Sequence, residues 1–339
     1  MIHQITWLSL AMADILEKII KAAESHFEEE VIEASHPGGE DRASMRLTLN
    51  SRSVIATKRP NFRRTHLEAL VLSRLHKAGA DVPDCLGLVD DILFQTDLGG
   101  QRLNTKVHDA LFEDRRRLAE SALDAIFRNQ SITKSSGVSD LVPPLGVTPN
   151  WVEGVLQPLK ELALSIDFST PRTDYDALFV GLNQAPQTFL KWDCRSGNAA
   201  VSNGKVAWFD FEYAGRRHGA EDPAWLIADE VWPVSAPTMF DLVERACPAI
   251  GPDEKERYMN YLALYTTCHA AQRLSMIQDS YARKGWIKRS AILAKDFLGT
   301  HYQFAPQLSG VGAFAAERNR LTRSFVPVFE ALKSSFEKS

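Results

Sequence analysis

The sequence predicts an α+β protein in two lobes, a small antiparallel β-rich lobe followed by a larger, mainly helical one. Three observations predict it. Strand-like runs separated by turn residues gather before the pattern break Asp97-Leu98-Gly99-Gly100. Helical periodicity dominates from Leu103 onward. At 339 residues the chain is long enough for two cores. The expected division is residues 1–98 and 99–339.

The first lobe opens with a helix over Ala13–Phe27, where Ile15, Ile19, Ile20, Ala23 and Phe27 recur at helical spacing. Strands are expected at Glu30–Ser35, Ala43–Leu49 and Ser53–Lys58, an antiparallel meander turned at Pro37-Gly38-Gly39 and at Asn50-Ser51. Gly38 and Gly39 let a backbone approach a phosphate closely, although they make no G-x-G-x-x-G match and, taken alone, read better as a plain hairpin turn. A helix over Arg63–Ala78 carries the apolar stripe Leu67, Leu70, Val71 and Leu75, and it includes Glu68. Asp81-Val82-Pro83 ends it, and Cys85–Val89 and Ile92–Gln95 read as two more strands.

In the second lobe, helices are expected over Asp114–Asn129, Trp151–Ile166 and Tyr175–Leu182, with a loop over Ser131–Pro149. Asp222-Pro223 has the chemistry of an N-cap and first helical residue, and Asp222 is read as a structural brace. Glu254–Lys284 is a long helix whose stripe is Tyr258, Tyr261, Tyr265, His269, Gln272 and Arg273. That stripe is a candidate substrate wall, but packing with satisfied polar tips is its expected role. A last helix spans Ala315–Lys338.

The chain is organised around FLKWDCRSGNAAVSNGKVAWFDFEYAG, Phe189–Gly215. Ala199-Ala200-Val201 and Val206-Ala207-Trp208-Phe209 read as two strands, and Asn203-Gly204 between them is a hairpin-turn signal. Asp193 and Asn198 precede the hairpin and Asp210 follows it, so the hairpin folds the last acid back toward the first two. That set suits phosphoryl transfer. An aspartate orients the attacking hydroxyl, and an asparagine five residues later, with a further Asp-Phe aspartate, holds Mg²⁺. Magnesium accepts few protein ligands because it keeps waters and phosphate oxygens.

On these residues the chain resembles the aminoglycoside phosphotransferase and choline kinase-like family, relatives of the protein kinases. The family loop reads His-Gly-Asp-Leu-x-x-x-Asn, whereas this chain has Lys191-Trp192 at the loop entrance. The resemblance implies a bilobal, protein-kinase-like fold with ATP between the lobes. It implies Asp193 as the catalytic residue and Asn198 and Asp210 as the Mg²⁺ ligands. Lys58, at the end of the third strand, would contact the ATP phosphates and pair with Glu68. Gly38 and Gly39 would cover the phosphates, and the backbone around Leu98 would meet adenine. At the loop entrance, Trp192 is expected to pack inward and Lys191 to take over bracing. The implied function is transfer of the γ-phosphoryl group to a hydroxyl of a small molecule. A nucleotide-binding pseudokinase and a protein-kinase-like regulator stay open, the second disfavoured by the short span Glu212–Asp222.

The composition is that of an ordinary globular protein, 45% hydrophobic and 24% charged. A net charge of -4 gives no overall reason to expect nucleic acid or an acidic membrane surface. No apolar run approaches membrane-spanning length. Ile5–Met12 is short, lacks a basic flank and runs into Asp14 and Glu17, so a signal peptide is not expected. Cys85, Cys194, Cys247 and Cys268 show no metal-type spacing and suit a reducing cytoplasm.

Overall fold

The computed structural model describes residues 2–37, 39, 43–165, 173–185, 187–202, 204–248 and 251–338. The leading helix α1 spans Ile2–Phe27, beginning well before the expected start. The expected meander follows as β1 (Val31–Ser35), β2 (Ser44–Leu49) and β3 (Ser53–Thr57), then α2 (Phe62–Lys77), β4 (Cys85–Val89) and β5 (Ile92–Thr96). These strands form one antiparallel sheet in the order β1-β2-β3-β5-β4.

Successive side chains alternate across this sheet, so it has two unlike faces. Met45, Leu47, Leu49, Val54, Ala56, Ile92 and Phe94 pack with Ile19 and Ala23 of α1. Each fully buried aliphatic side chain there contributes roughly 1.5–3 kcal/mol. On the other face Leu93 packs with Leu72 and Leu75 of α2, while Ser44, Arg46, Ile55 and Gln95 open onto a cleft.

The chain leaves the sheet through β6 (Gln101–Arg102), which pairs with the hairpin β8 (Ala199–Ser202) and β9 (Lys205–Trp208). Gly100 makes that crossing at a φ of 69°, and a Cβ there would collide with the Val201 carbonyl. Between these segments lie α3 (Leu103–Asp109), α4 (Phe112–Ser136), α5 (Pro149–Ser165), α6 (Tyr175–Leu182) and β7 (Thr188–Leu190). After the hairpin come β10 (Gly215–Arg217), paired with β7, and α7 (Glu221–Ile227). The remaining helices are α8 (Ala236–Ala246), α9 (Pro252–Lys284), α10 (Arg289–Lys295), α11 (Phe304–Glu317) and α12 (Val326–Glu337). No helix among the described residues is long and apolar enough to cross a membrane.

Three expectations are corrected. The loop expected from Ser131 begins later, because α4 continues to Ser136 and buries Gln130 and Thr133 before Gly137, at φ 71°, stops it. The single terminal helix is two helices. The Asn319 side chain ties their junction down by donating to the Asn260 carbonyl and accepting from the Leu321 N–H, and α12 restarts with a proline in its first turn. Asp222 is not an N-cap: Ala220 caps α7 and Asp222 lies inside its first turn, where its carboxylate is free for another task.

Candidate active site

Strand β7 delivers the loop that carries Asp193. Trp192 and Asp193 both have left-handed backbones, at φ 60° and 53°, a conformation non-glycine residues seldom adopt and which costs on the order of 1–3 kcal/mol. Two charged groups impose it. The Asp222 carboxylate accepts the N–H groups of Lys191 and Trp192, each at 2.9 Å. The buried Lys191 ammonium donates to the carbonyls of Trp192 at 3.3 Å and Asp193 at 3.1 Å. Trp192 packs half-buried among Trp151, Trp225 and Tyr265. Both residues at the loop entrance are therefore structural members of the loop, as their inward packing and bracing predicted.

A second brace had no signal in the sequence. Buried Asp229, just past α7, accepts the Ser196 N–H at 2.7 Å and its hydroxyl at 2.6 Å. Burial, aided by the charge of Glu230, pushes Asp229 up to about 6.

Asp193 is held at both oxygens, by Arg195 Nε at 2.8 Å and by Asn198 Nδ2 at 2.9 Å. Burial pushes its carboxyl up, but the Arg195 and Lys191 charges outweigh burial and hold it at about 2. Asn198 donates also to the Asp193 carbonyl at 3.1 Å, which fixes its amide and leaves its Oδ1 as the acceptor. The Phe209 N–H donates to the Asn198 carbonyl at 3.0 Å. The hairpin so closed sets Asp210, left-handed at φ 64°, beside Asn198 on the wall of the cleft.

The pairing expected between Lys58 and Glu68 is replaced by one with Arg59. Arg59 Nη2 lies 2.7 Å from Glu68 Oε2 and 2.6 Å from Asp210 Oδ1, and its Nε lies 3.2 Å from Glu212 Oε2. Lys58 donates to the Asp90 carbonyl at 3.2 Å instead. Strand parity is the reason. Val54 and Ala56 face α1, so position 58 follows them, whereas Ile55 and Arg59 face the cleft. The sequence did not mark that parity, because Val54, Ile55 and Ala56 are all apolar. Glu68 is fully buried, and its Oε1 accepts the Phe211 N–H at 3.0 Å. Burial raises it to about 7 against the pull of Arg59.

Asp296 is a further residue the sequence did not suggest. It caps α10 at φ 51°, lies 3.4 Å from Arg195 Nη1 and sits so close to Gly197 that a Cβ there would collide with it. The cleft has a volume of about 550 Å³. Asn198, Asp210, Asp296, Leu98, Gly99, Gly100, Arg59 and Glu68 all line it. Pro37 also lines it. Gly39 is left-handed at φ 102°, while Gly38 lies outside the described residues. Among the described residues no three His, Cys, Asp or Glu side chains form a ready metal cage. The side chains of Asp210 and Asn198 are among the oxygen donors that line the cleft, and Asp210 Oδ1 is engaged by Arg59 at 2.6 Å.

No family model matches the chain, and no curated protein matches it in sequence. Solved structures match it in fold. Aminoglycoside 2'-phosphotransferase-IIIa, solved with GDP, aligns with a TM-score of 0.54 at 14% identity, covering 81% of this chain and 96% of that one. An aminoglycoside phosphotransferase-like protein of Ralstonia eutropha aligns at 0.51 and 13% identity, covering 94% and 98%. Spectinomycin phosphotransferase, solved with ADP and spectinomycin, aligns at 0.51 and 13% identity, covering 83% and 93%. The chain thus has the bilobal, protein-kinase-like α+β fold found in these small-molecule phosphotransferases, the fold the stretch Phe189–Gly215 led us to expect.

Proposed function

We propose that this chain transfers the γ-phosphoryl group of Mg²⁺-ATP to a hydroxyl of a small molecule. One observation carries the reading: Asn198 and Asp210 both line a cleft of about 550 Å³, brought near each other by the Phe209 N–H that donates to the Asn198 carbonyl, and Asp193 is hydrogen-bonded to Asn198. Asp193 orients the acceptor hydroxyl. Held at about 2, it is ionised at every working pH and is a weak proton acceptor. Its contribution is therefore alignment, with the proton passing late, as a loose transition state allows.

Asn198 Oδ1 and the Asp210 carboxylate are hard oxygen donors of the kind Mg²⁺ takes. Bound Mg²⁺ would neutralise charge on the β- and γ-phosphates. Arg59, positioned by Glu68, replaces Lys58 as the cation facing those phosphates. Arginine suits the place because its planar fork can bind Glu68 and a phosphate oxygen together. Leu98 and its neighbours would border adenine, and the loop holding Gly38 and Gly39 would border the phosphates.

The test is calorimetric titration of Mg²⁺-ATP, paired with ATP consumption over a panel of hydroxylated metabolites and aminoglycosides. Asp193→Asn should lower turnover by about 10²–10⁴-fold and leave Mg²⁺-ATP affinity nearly unchanged. Asp210→Asn should damage both. Equal loss of nucleotide binding in the two variants would refute the division of roles. Binding without transfer to any acceptor would favour a nucleotide-binding regulator, and no binding by the wild type would overturn the kinase reading.

A further inference from the structure

A second cavity, of about 600 Å³, lies between α4, α6, the β7–β10 ribbon and α9. Thr188 and Arg217, the paired residues at one end of the ribbon, line it. From Thr188, β7 runs away from the cavity toward Lys191 and Asp193. The cavity is thus separate from the cleft that holds Asn198 and Asp210.

Its polar groups are incompletely used. Gln130 is 5% exposed and Tyr258 9% exposed, and both line the cavity. Gln130 donates its amide N–H to the Gly219 carbonyl at 2.9 Å, which settles the amide's orientation. Its Oε1 then has no donor, and the Tyr258 hydroxyl has no partner. Buried polar atoms left this way are uncommon in folded proteins and call for an explanation. His218 accepts the Ala220 N–H at Nδ1, 3.2 Å away, so its proton sits on Nε2. Burial and the charge of Arg217 push His218 down to about 4, leaving it a neutral donor near pH 7.

The cavity offers little net charge. Arg217 is paired with Glu221, whose Oε1 lies 2.7 Å from Arg217 Nε and also accepts the Tyr261 hydroxyl, while burial raises the Glu221 carboxyl to about 7. Exposed Glu254 and Arg257, one turn apart on α9, add one charge of each sign to the lining. What remains is an amide acceptor, a phenol and an imidazole donor, beside the mutually packed rings of His218, Tyr258 and Tyr261. A group that meets an acceptor, a donor and a phenol at once must both donate and accept, which hydroxyls do. The rings suit the C–H faces of such a molecule. A single water could satisfy one of these atoms, but the volume is that of a small-molecule site.

We propose that this cavity binds a neutral, polyhydroxylated small molecule of monosaccharide to disaccharide size. The site does not depend on the phosphotransfer reading, because it shares no side chain with the cleft.

The experiment is titration of the whole chain with maltose, trehalose and myo-inositol, followed by saturation-transfer NMR and calorimetry. Wild type should bind at least one of them saturably. Tyr258→Phe, which keeps the ring and removes only the hydroxyl, should weaken that binding about ten-fold, the effect of one lost hydrogen bond. Gln130→Leu should weaken it similarly, with circular dichroism confirming that each variant is folded. Asp193→Asn should leave it unchanged. Failure of all three probes to bind would overturn the proposal, as would equal binding by Tyr258→Phe and Gln130→Leu. Loss of binding in Asp193→Asn would place the sugar in the catalytic cleft and overturn it too. Stronger binding of glucose 6-phosphate or glucosamine than of the neutral probes would replace it with a charged ligand.

Discussion

Replacing Arg59 by methionine removes the cation that three carboxylates share while keeping much of its bulk. Glu68 suffers most, because it is fully buried and keeps only the Phe211 N–H at 3.0 Å. Breaking a buried ion pair from one side costs about 3–5 kcal/mol when the remaining charge stays bare. Here the carboxyl is already raised to about 7, so it escapes part of that cost by taking a proton. The loss should therefore depend on pH. A carboxyl raised from 4.5 to about 7 binds its proton more tightly in the fold than in the unfolded chain, so its contribution falls as pH climbs through that window. Without Arg59 the window extends higher. Arg59→Met should cost about 3 kcal/mol or more at pH 8 and roughly half that at pH 6. Arg59→Met/Glu68→Gln should recover most of the loss at pH 8. Lys58→Met, which gives up one exposed hydrogen bond, should change stability by less than about 0.5 kcal/mol. Urea unfolding at the two pH values measures all four proteins. An Arg59→Met loss independent of pH, or a Lys58→Met loss as large, would refute the reasoning.

Asp222→Ala orphans the two N–H groups that turn the loop of Asp193. It should cost about 2–4 kcal/mol and abolish turnover, as read by thermal unfolding and ATP consumption. Gly197→Ala drives a methyl into the Asp296 carboxylate and should cost about 1–3 kcal/mol; adding Asp296→Ala should restore much of it in the same melting assay. Glu230→Gln leaves buried Arg273 facing an amide in place of a bidentate carboxylate at 2.8 and 2.6 Å, at about 3 kcal/mol. Burial raises the Glu230 carboxyl, but Arg273 and the Gly299 N–H overcome it and hold it at about 2. Its stabilisation is complete above pH 4.5 and is lost as pH falls through about 2, so Glu230→Gln should flatten the acid limb of the stability curve there.

The sheet, the hairpin and the loop of Asp193 were legible because each rests on local signals: turn residues, alternation and a short motif. Asp193, Asn198 and Asp210 come together as the hairpin required, since a two-strand fold leaves little freedom over so short a span. Arg59 was missed by one position, where adjacent residues of a strand point to opposite faces and naming the strand end does not name the face. Asp229 and Asp296 were not legible. Each reaches the loop from a separate element, and only the packing of α7 and α10 brings a carboxylate to a backbone N–H or a glycine. The break at Asn319 is of the same kind, because its anchor is a carbonyl on α9.

The pairing of β6 with β8 has a mechanical consequence. Leu98, Gly100 and Asn198 all line the cleft, and the segments that carry them are joined through Gln101–Val201 and Arg102–Ala200. The spacing between these lining residues is therefore gauged by a hydrogen-bonded ladder, which behaves as a ruler. Arg59 lies outside that ladder and is held instead by the carboxylates of Glu68, Asp210 and Glu212. Whatever lies in the cleft therefore meets, on the side of Gly100 and Asn198, a spacing set by backbone hydrogen bonds, and at Arg59 one set by ion pairs.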